Sequence, residues 1–495
     1  MKQKLLALVL LAALLLSLAA CGKNPNTPTE SGSPSDSVSD SVTEDPALQE
    51  EKLEIPDKTY DDADFVVLSA GQVAYDDFSF SEESNLVLDQ AQFIRKSTVE
   101  ETYGVKISIV IDENKSGVGN GSGYTRISRS VNSNTADYNV GLIGGMDVST
   151  LAYSDFLCPL GKAEYIDLEK SWWDQNANED LKVMGNIFFT QGDITASKSE
   201  STYVIFYNKK LGKEQKIEDP YQLVKDMHWT LDKFSEMCLS VSEELDGNDI
   251  RDMNDRYGLY VWDDSFLGMI NAVGGKIATV NANGEFELSL YNDKVVSAVE
   301  QYTKIAYNSD YAVMYQRYSN AGNVREHWMN DQALFWATSS LNIEPMRDME
   351  SDFGILPFPM LNDEQTRYYA TLPTYNSQFL CLPSVQEDLN FTSAITEALA
   401  YYGKKIVKPA VYEKTIAGTY FRDEESIEML DIIYASFIYD IGQLHRIGNL
   451  NNLLMNMFRA KENTFSSIYE ANVGAAERQI NAVNDGYRRV IERWS

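Results

Sequence analysis

The sequence predicts an α/β protein of two domains whose strands form mainly parallel sheets. Short apolar strands alternate with helical segments early in the chain, the pattern of a parallel sheet. Later segments carry apolar residues at helical spacing. After the amino-terminal segments are set aside, a body of more than 400 residues remains, which is more than one hydrophobic core usually supports.

The first residues of the chain predict an export signal. Lys2 and Lys4 precede an apolar run over residues 5–20, which is shorter than the roughly 20 residues needed to span a bilayer. The next residues, Leu18-Ala19-Ala20-Cys21-Gly22, resemble the lipobox of bacterial lipoproteins, in which the cysteine becomes the acylated first residue. We predict a signal peptide over 1–20 and lipidation of Cys21, with an ordinary secretory peptide as the alternative.

A flexible tether is predicted over residues 21–59. From residue 23 to about 57 the chain consists mainly of Ser, Thr, Pro, Asp, Asn and Glu. Such a segment buries too little apolar surface to offset the entropy of ordering it.

Charge and cysteine content exclude several classes of protein. The formal net charge is −32 and the isoelectric point is about 4.4, which disfavours binding to nucleic acids or anionic membrane surfaces. Cys158, Cys238 and Cys381 are widely spaced and odd in number, so neither a disulfide framework nor a zinc site is predicted. No cofactor is predicted.

The body begins with alternating strands and helices. Residues 64–69 form an apolar strand, and a helix follows at about 85–103. Strands are predicted at 105–110 and 138–143, separated by a further helical stretch. The latter strand ends at Gly144-Gly145.

Two later helices have recognisable starts. Thr230 is a suitable cap for a helix whose apolar face includes Leu231, Phe234, Met237 and Val241. The same spacing continues over 427–441 after the acids 423–425, which favour a helix start.

Seven segments occur in order before residue 384. They are YIDLEKSWW (165–173), GDI (192–194), YVIFYNK (203–209), DPYQLV (219–224), WTLDKF (229–234), DRYGL (255–259) and GILPFP (354–359). With the lipobox, these segments resemble the extracellular solute-binding proteins of family 1, the sugar-binding lipoproteins of ATP-binding-cassette (ABC) importers.

The resemblance implies a two-lobe periplasmic-binding-protein-like fold of type II topology with hinge crossings. The amino lobe would comprise 60–203 and 375–425, and the carboxyl lobe 204–374 and 426–495. Residues 203–208 would form the first crossing and 372–376 would begin the return. The expected function is capture of a small solute, a carbohydrate by resemblance, between lobes that close by a hinge motion. Delivery to ABC permease subunits, a lipid-anchored position on the extracellular face of the cell membrane and a monomeric state are also expected.

Candidate ligand-binding residues combine aromatic planes with hydrogen-bonding groups, as a sugar requires. In the family, the segments after residues 261 and 338 face the ligand, and Gln72 and Asp147 follow strands at a sheet edge where ligands bind. Of the two adjacent tryptophans 172 and 173, one ring is expected to be buried and one exposed. A core position for Trp262 and a turn-capping role for Asp193 remain alternatives. The predicted set is Trp172, Trp173, Asp193, Trp262, Asp263, Ser339, Ser340, Gln72 and Asp147.

A calcium loop is considered and not favoured. The residues that repeat its oxygen spacing are Glu244, Asp246, Asn248, Asp252 and Asp255. However, Asp249 stands where such a loop requires glycine, and Asp255 is shorter than the usual bidentate glutamate. A solvated acidic turn is the favoured interpretation, and no metal is predicted.

Catalysis is not predicted. The three histidines are scattered, and no GxSxG, HExxH or P-loop motif occurs. The alternatives left open are a binder of peptides or other polar solutes, a non-transport surface sensor or adhesin, and a surface glycosidase, since acids are abundant. The identity of the solute is not determined by the sequence, because side chains that suit hydroxyls also suit amides.

Overall fold

The computed structural model describes residues 51–84, 86–113, 119–196, 202–245, 247–318, 323–411 and 423–495. The predicted signal peptide, Cys21 and nearly all of the predicted tether lie outside these ranges.

The strands and helices follow one another along most of the chain. The strands are β1 Ala63–Gly71, β2 Val105–Glu113, β3 Val140–Gly144, β4 Leu157–Cys158, β5 Phe189–Thr190, β6 Tyr203–Asn208, β7 Tyr257–Val261, β8 Ala278–Val280, β9 Phe286–Leu288, β10 Ala312–Met314, β11 Ala333–Ser339, β12 Phe353–Leu356, β13 Ala370–Thr371, β14 Gln378–Pro383 and β15 Phe437–Ile438. The helices are α1 Val87–Tyr103, α2 Ser122–Ser133, α3 Gly145–Tyr153, α4 Gln175–Asp180, α5 Lys209–Glu214, α6 Pro220–Lys225, α7 Leu231–Leu239, α8 Ser265–Ala272, α9 Asp293–Ala306, α10 Val324–Met329, α11 Leu389–Tyr402, α12 Glu424–Ala435, α13 Ile441–Leu444, α14 Leu450–Ala460 and α15 Phe465–Trp494.

The amino-lobe sheet has the order β2-β1-β3-β14-β4, with β5 also pairing with β14. β1 is parallel to β2 and β3, whereas β14 returns antiparallel to β3. Every residue of β3 is buried, because helices cover both faces of a mainly parallel sheet. The carboxyl ends of β1 and β3 therefore meet the amino end of β14 at one sheet edge.

The carboxyl-lobe sheet has the order β10-β7-β11-β6-β12. β7 is parallel to β10 and β11, and β6 is antiparallel to β11 and β12. Residues 203–208, which are predicted to form the first crossing, are the strand β6 inside this sheet, and the crossing itself stays a prediction. Tyr203, the first residue of β6, pairs with Ser339 at the end of β11.

Short segments connect the two sheets. Along the chain, β13 lies between β12 of the carboxyl-lobe sheet and β14 of the amino-lobe sheet. It pairs in parallel with β15. The Thr202 hydroxyl donates to the carbonyl of Thr371 at 2.9 Å. The Asn271 side-chain oxygen accepts hydrogen bonds from Thr371 Oγ1 at 3.1 Å and Gln443 Nε2 at 3.0 Å. Hydrogen bonds thus join residues that are far apart in sequence at the place where the chain passes between the sheets.

The helix start at Thr230 is confirmed, since its side chain accepts a hydrogen bond from the Lys233 amide. The single helix expected from the spacing over 427–441 is not formed. α12 ends at Ala435, because Phe437 pairs with Ala370 across the two-stranded sheet. Ile441 then starts the separate helix α13.

The carboxyl-terminal helix α15 touches elements of both lobes. Tyr487 packs against Phe188 and Tyr153 of the amino lobe and against Phe286 of the β8–β9 hairpin. Within the described ranges, no helix is long and apolar enough to cross a membrane. Cys158, Cys238 and Cys381 are free and buried.

Candidate functional site

Three aromatic side chains meet at the edge of the carboxyl-lobe sheet beside the connections between the sheets. Trp262 follows β7, Tyr315 follows β10 and Tyr203 begins β6. The centroid of the Trp262 ring lies 6.1 Å from that of Tyr203 and 6.5 Å from that of Tyr315, and both pairs have edge-to-face geometry. All three residues are half-buried. We call Tyr203, Trp262 and Tyr315 the aromatic group.

Asp263 is fixed beside this group by two neighbouring side chains. Gln316 Nε2 donates to Asp263 Oδ1 at 2.7 Å, and the Asp263 amide donates to Gln316 Oε1 at 2.8 Å. Arg459 forms an ion pair with Asp263 Oδ2. Asp263 is 3% exposed, so its carboxylate is held in place with its charge compensated.

Asp264 is the second carboxyl group of the site. Burial and the neighbouring charge of Asp263 raise its pKa, while hydrogen bonds with Trp262 and Tyr203 and the charge of Arg459 oppose the rise. Burial and the charges of the two aspartates also raise the pKa of Tyr203 well above its usual value. The aromatic group therefore lies beside the carboxyl oxygens of Asp263 and Asp264. This combination suits a small ligand that has an apolar C–H face and hydroxyl groups around it.

Ser339 and Ser340 lie at the same sheet edge and hold the chain connection. The Ser340 hydroxyl accepts a hydrogen bond from the Thr202 amide at 2.9 Å, and the Ser340 amide donates to the Thr202 carbonyl at 2.8 Å. Ser339 Oγ accepts from the Leu341 amide at 3.3 Å. Both serines are nearly fully buried. The structure thus gives them backbone partners, and their contact with a ligand stays a prediction.

Polar residues occupy the corresponding edge of the amino-lobe sheet. Gln378 Nε2 donates to Ser69 Oγ and to the Leu142 carbonyl, both at 2.9 Å. The Tyr75 hydroxyl donates to the Asn376 carbonyl at 3.1 Å. Gln72 is buried beside Gly144, where a side chain at residue 144 would meet Gln72 Oε1. We call Gln72, Tyr75, Asn376 and Gln378 the amino-lobe polar edge.

The expectation of one exposed ring in the tryptophan pair is wrong. Trp172 and Trp173 are only 1% and 2% exposed and belong to the amino-lobe core. Their indole nitrogens donate to Glu397 Oε1 at 2.8 Å and Oε2 at 3.0 Å. Burial raises the pKa of Glu397 to about 8 despite these hydrogen bonds. The two rings are therefore core residues whose indole nitrogens bind a buried carboxyl group, and they lie outside the proposed site.

Asp147 and Asp193 have partners within the amino lobe. Asp147 is fully buried and accepts hydrogen bonds from the amides of Gly121 at 2.9 Å and Tyr124 at 3.3 Å, at the start of α2. Asp193 is half-buried, and its Oδ2 atom lies 3.8 Å from Nζ of Lys408. These contacts give both residues structural roles.

The acidic turn uses its carboxylates on its own backbone. Glu244 accepts hydrogen bonds from the amides of Gly247 and Asn248, and the buried Asp255 accepts from those of Leu245 and Asp252. Asp246 lies outside the described residues. In the ranges that the structure covers, no group of three or more His, Cys, Asp or Glu side chains is placed to hold a metal ion.

Several residues of the site escape prediction from the sequence. Tyr315 and Gln316 follow a strand of only three residues, too short to mark a sheet edge by its pattern. Arg459 pairs with Asp263 across 196 positions, and only the fold brings them together. The adjacent Asp264 was within reach of prediction, since it continues the predicted Trp262-Asp263 segment.

Sequence comparisons give no relative. No family model matches the chain, and no curated protein matches it.

Solved structures do resemble the chain in fold. The galacto-N-biose/lacto-N-biose I-binding protein of the ABC transporter of Bifidobacterium longum is 8% identical, with a TM-score of 0.57 over 86% of this chain and 98% of that one. A cyclo/maltodextrin-binding protein complexed with maltotetraose is 12% identical, with a TM-score of 0.55 over 87% and 98%. An ABC substrate-binding protein from Listeria monocytogenes, in complex with cycloalternan, is 13% identical, with a TM-score of 0.51 over 86% and 99%. The predicted two-lobe fold of the periplasmic-binding-protein type is confirmed.

Proposed function

We propose that this protein captures a small carbohydrate between its two lobes and delivers it to an ABC importer. The observation that carries the proposal is the aromatic group beside Asp263 and Asp264, at the sheet edge next to the connections between the lobes. Aromatic rings that pack on sugar C–H faces, with acceptors for hydroxyls alongside, are the means by which proteins bind carbohydrates.

The amino-lobe polar edge supplies the opposite wall of the proposed site. Gln72 follows the carboxyl end of β1, and Gln378 begins the antiparallel strand β14 opposite the carboxyl end of β3, at the kind of sheet edge where α/β proteins bind ligands. Tyr375, next to Asn376, is 46% exposed and offers a further ring on that side. Binding energy from contacts to both walls would favour the closed arrangement of the lobes.

The resemblance in fold supports a carbohydrate. The solved structures compared above are binding proteins, and their complexes contain lacto-N-biose, maltotetraose and cycloalternan.

The location of the protein follows from its amino-terminal sequence. The lipobox-like segment ending at Cys21 supports a lipid anchor on the extracellular face of the cell membrane. Several acyl chains together hold a protein firmly, because each buried methylene contributes about 0.8 kcal/mol.

A thermal-shift screen against monosaccharides, oligosaccharides and peptides tests the proposal. A true ligand at about 100 times its dissociation constant should add roughly 2.7 kcal/mol to the free energy of unfolding. We expect at least one saccharide to raise the melting temperature in a saturable manner. Stabilisation by peptides alone would contradict the carbohydrate assignment and favour a peptide-binding protein of the same fold.

A further inference from the structure

A group of basic side chains adjoins the aromatic group. Arg317 follows Tyr315 and Gln316 in the turn after β10, and its Nη1 atom donates to the Arg459 carbonyl at 2.9 Å. Lys461 caps the carboxyl end of α14 with a left-handed backbone, at φ +58°. We call Arg317, Arg459 and Lys461 the basic corner.

The charge of the basic corner is only partly compensated. Arg459 pairs with Asp263, but no carboxylate among the described residues forms an ion pair with Arg317 or Lys461. Burial lowers the pKa of Lys461, and the charge of Arg317 adds to this effect. Glu462 follows Lys461, and its charge acts on Tyr307, whose pKa it helps to raise.

The basic corner brings three cationic side chains together, and two of them have no acidic partner among the described residues. Such a group is unexpected in a chain whose net charge is −32. The position of Arg459 and Lys461 at the carboxyl end of α14 explains part of this grouping, because the carboxyl end of a helix favours cations. It does not account for Arg317, which comes from a different element and is held against the Arg459 carbonyl, two residues before Lys461. Arg317 and Arg459 are exposed and Lys461 is half-buried, so an anion from solvent can reach them, and a bound anion would compensate like charges that lie near one another.

We infer that the bound saccharide carries an acidic group, a carboxylate or a sulfate ester, which Arg317 and Lys461 hold while its ring packs on the aromatic group. This inference rests on the proposed function and specifies its substrate class. Guanidinium and ammonium groups form charge-assisted hydrogen bonds with either anion, about twice as strong as neutral ones. The adjoining rings of Tyr315 and Trp262 would provide the apolar contact for the sugar ring.

Calorimetric titrations of the full chain with two matched pairs of probes test this inference. One pair is α-1,4-digalacturonate and α-1,4-galactobiose, and the other is lactose 3′-sulfate and lactose. We expect the acidic member of at least one pair to bind about ten-fold or more tightly than its neutral counterpart. The pair that shows the preference distinguishes a carboxylate from a sulfate.

Two variants tie the preference to the basic corner. Arg317→Gln and Lys461→Asn should each weaken binding of the acidic probe by about ten-fold and leave any binding of the neutral probe unchanged. Asparagine tolerates the left-handed backbone at residue 461, so the cap of α14 is retained. Lys106→Gln is the control, because it removes an exposed cation from β2, the outermost strand of the amino-lobe sheet.

The outcomes separate this inference from the proposed function. If neutral saccharides bind and neither acidic probe is preferred, or if the variants leave the preference intact, the inference is overturned and the proposed function stands. If no saccharide of either kind binds in these titrations or in the broader screen, both are overturned.

Discussion

Trp262 and Trp229 provide a matched pair of indoles for testing the site. Trp262 is half-buried beside two other rings, whereas Trp229 is fully buried and donates its indole hydrogen to the Pro357 carbonyl. Trp262→Ala should cost about 1–3 kcal/mol of binding free energy, because a ligand loses its apolar contact. Calorimetry with the saccharide found in the screen measures this loss.

The Trp229→Ala control should behave in the opposite way. It should lower the free energy of unfolding by about 3–5 kcal/mol and leave the affinity of the folded molecules unchanged. A loss of stability without loss of affinity in Trp262→Ala would show that Trp262 is a core residue.

Glu397 predicts a specific dependence of stability on pH. The folded-state pKa is about 8, above the ordinary value of 4.5, so the folded protein binds this proton more tightly than the unfolded chain. The free energy of unfolding should therefore fall as pH rises from about 5 to 8, by at most about 1.4 kcal/mol per pH unit from this group. Above pH 8 its contribution should level off.

Urea unfolding at a series of pH values measures this slope. In Glu397→Gln the part of the slope due to this residue should disappear, although the variant should be less stable overall, because an amide cannot accept from both indoles. An identical slope in the two proteins would contradict the assignment.

These residues show where prediction from sequence stops. The Trp262-Asp263 segment could be predicted as part of a site because it leaves a strand, precedes a helix and stands where the resembled family faces its ligand. The Trp172-Trp173 segment has an equally suggestive composition, yet its acceptor Glu397 lies more than 200 residues away. Only the fold shows that both indoles are used internally.

At the scale of elements, the acidic turn over 243–256 predicts indifference to calcium. The carboxylates of Glu244 and Asp255 already accept backbone hydrogen bonds, and a metal would have to displace them. Addition of millimolar calcium or of a chelator should leave the melting temperature within about 1 °C, since binding only to the folded state would raise it. A larger shift would show that the turn is a calcium site.

Helix boundaries were predictable where the cap is local. Thr230 and the apolar face after it specify α7 within a few residues. The end of α12 was not predictable, because Phe437 leaves the helix to pair with a strand more than sixty residues earlier. The connections between the sheets are likewise non-local. Thr202 donates a hydrogen bond directly to Thr371, and Thr371 and Gln443 both donate to Asn271.

At the scale of the whole molecule, the proposed lipid anchor can be tested separately. Cys21→Ala should remove the acyl carrier, so the protein should remain uncleaved or be released from the membrane fraction. Mass spectrometry of the membrane fraction tests this with the unaltered chain as control. An unmodified chain that begins at another residue would contradict lipidation of Cys21.

The central claim is that a saccharide binds between the lobes and draws them together. Small-angle X-ray scattering of the protein with and without saturating saccharide tests it most directly, because closure about the connecting segments reduces the radius of gyration. We predict a saturable decrease with the same saccharide that raises the melting temperature. The claim would be contradicted if no saccharide compacts the protein while a peptide both compacts and stabilises it.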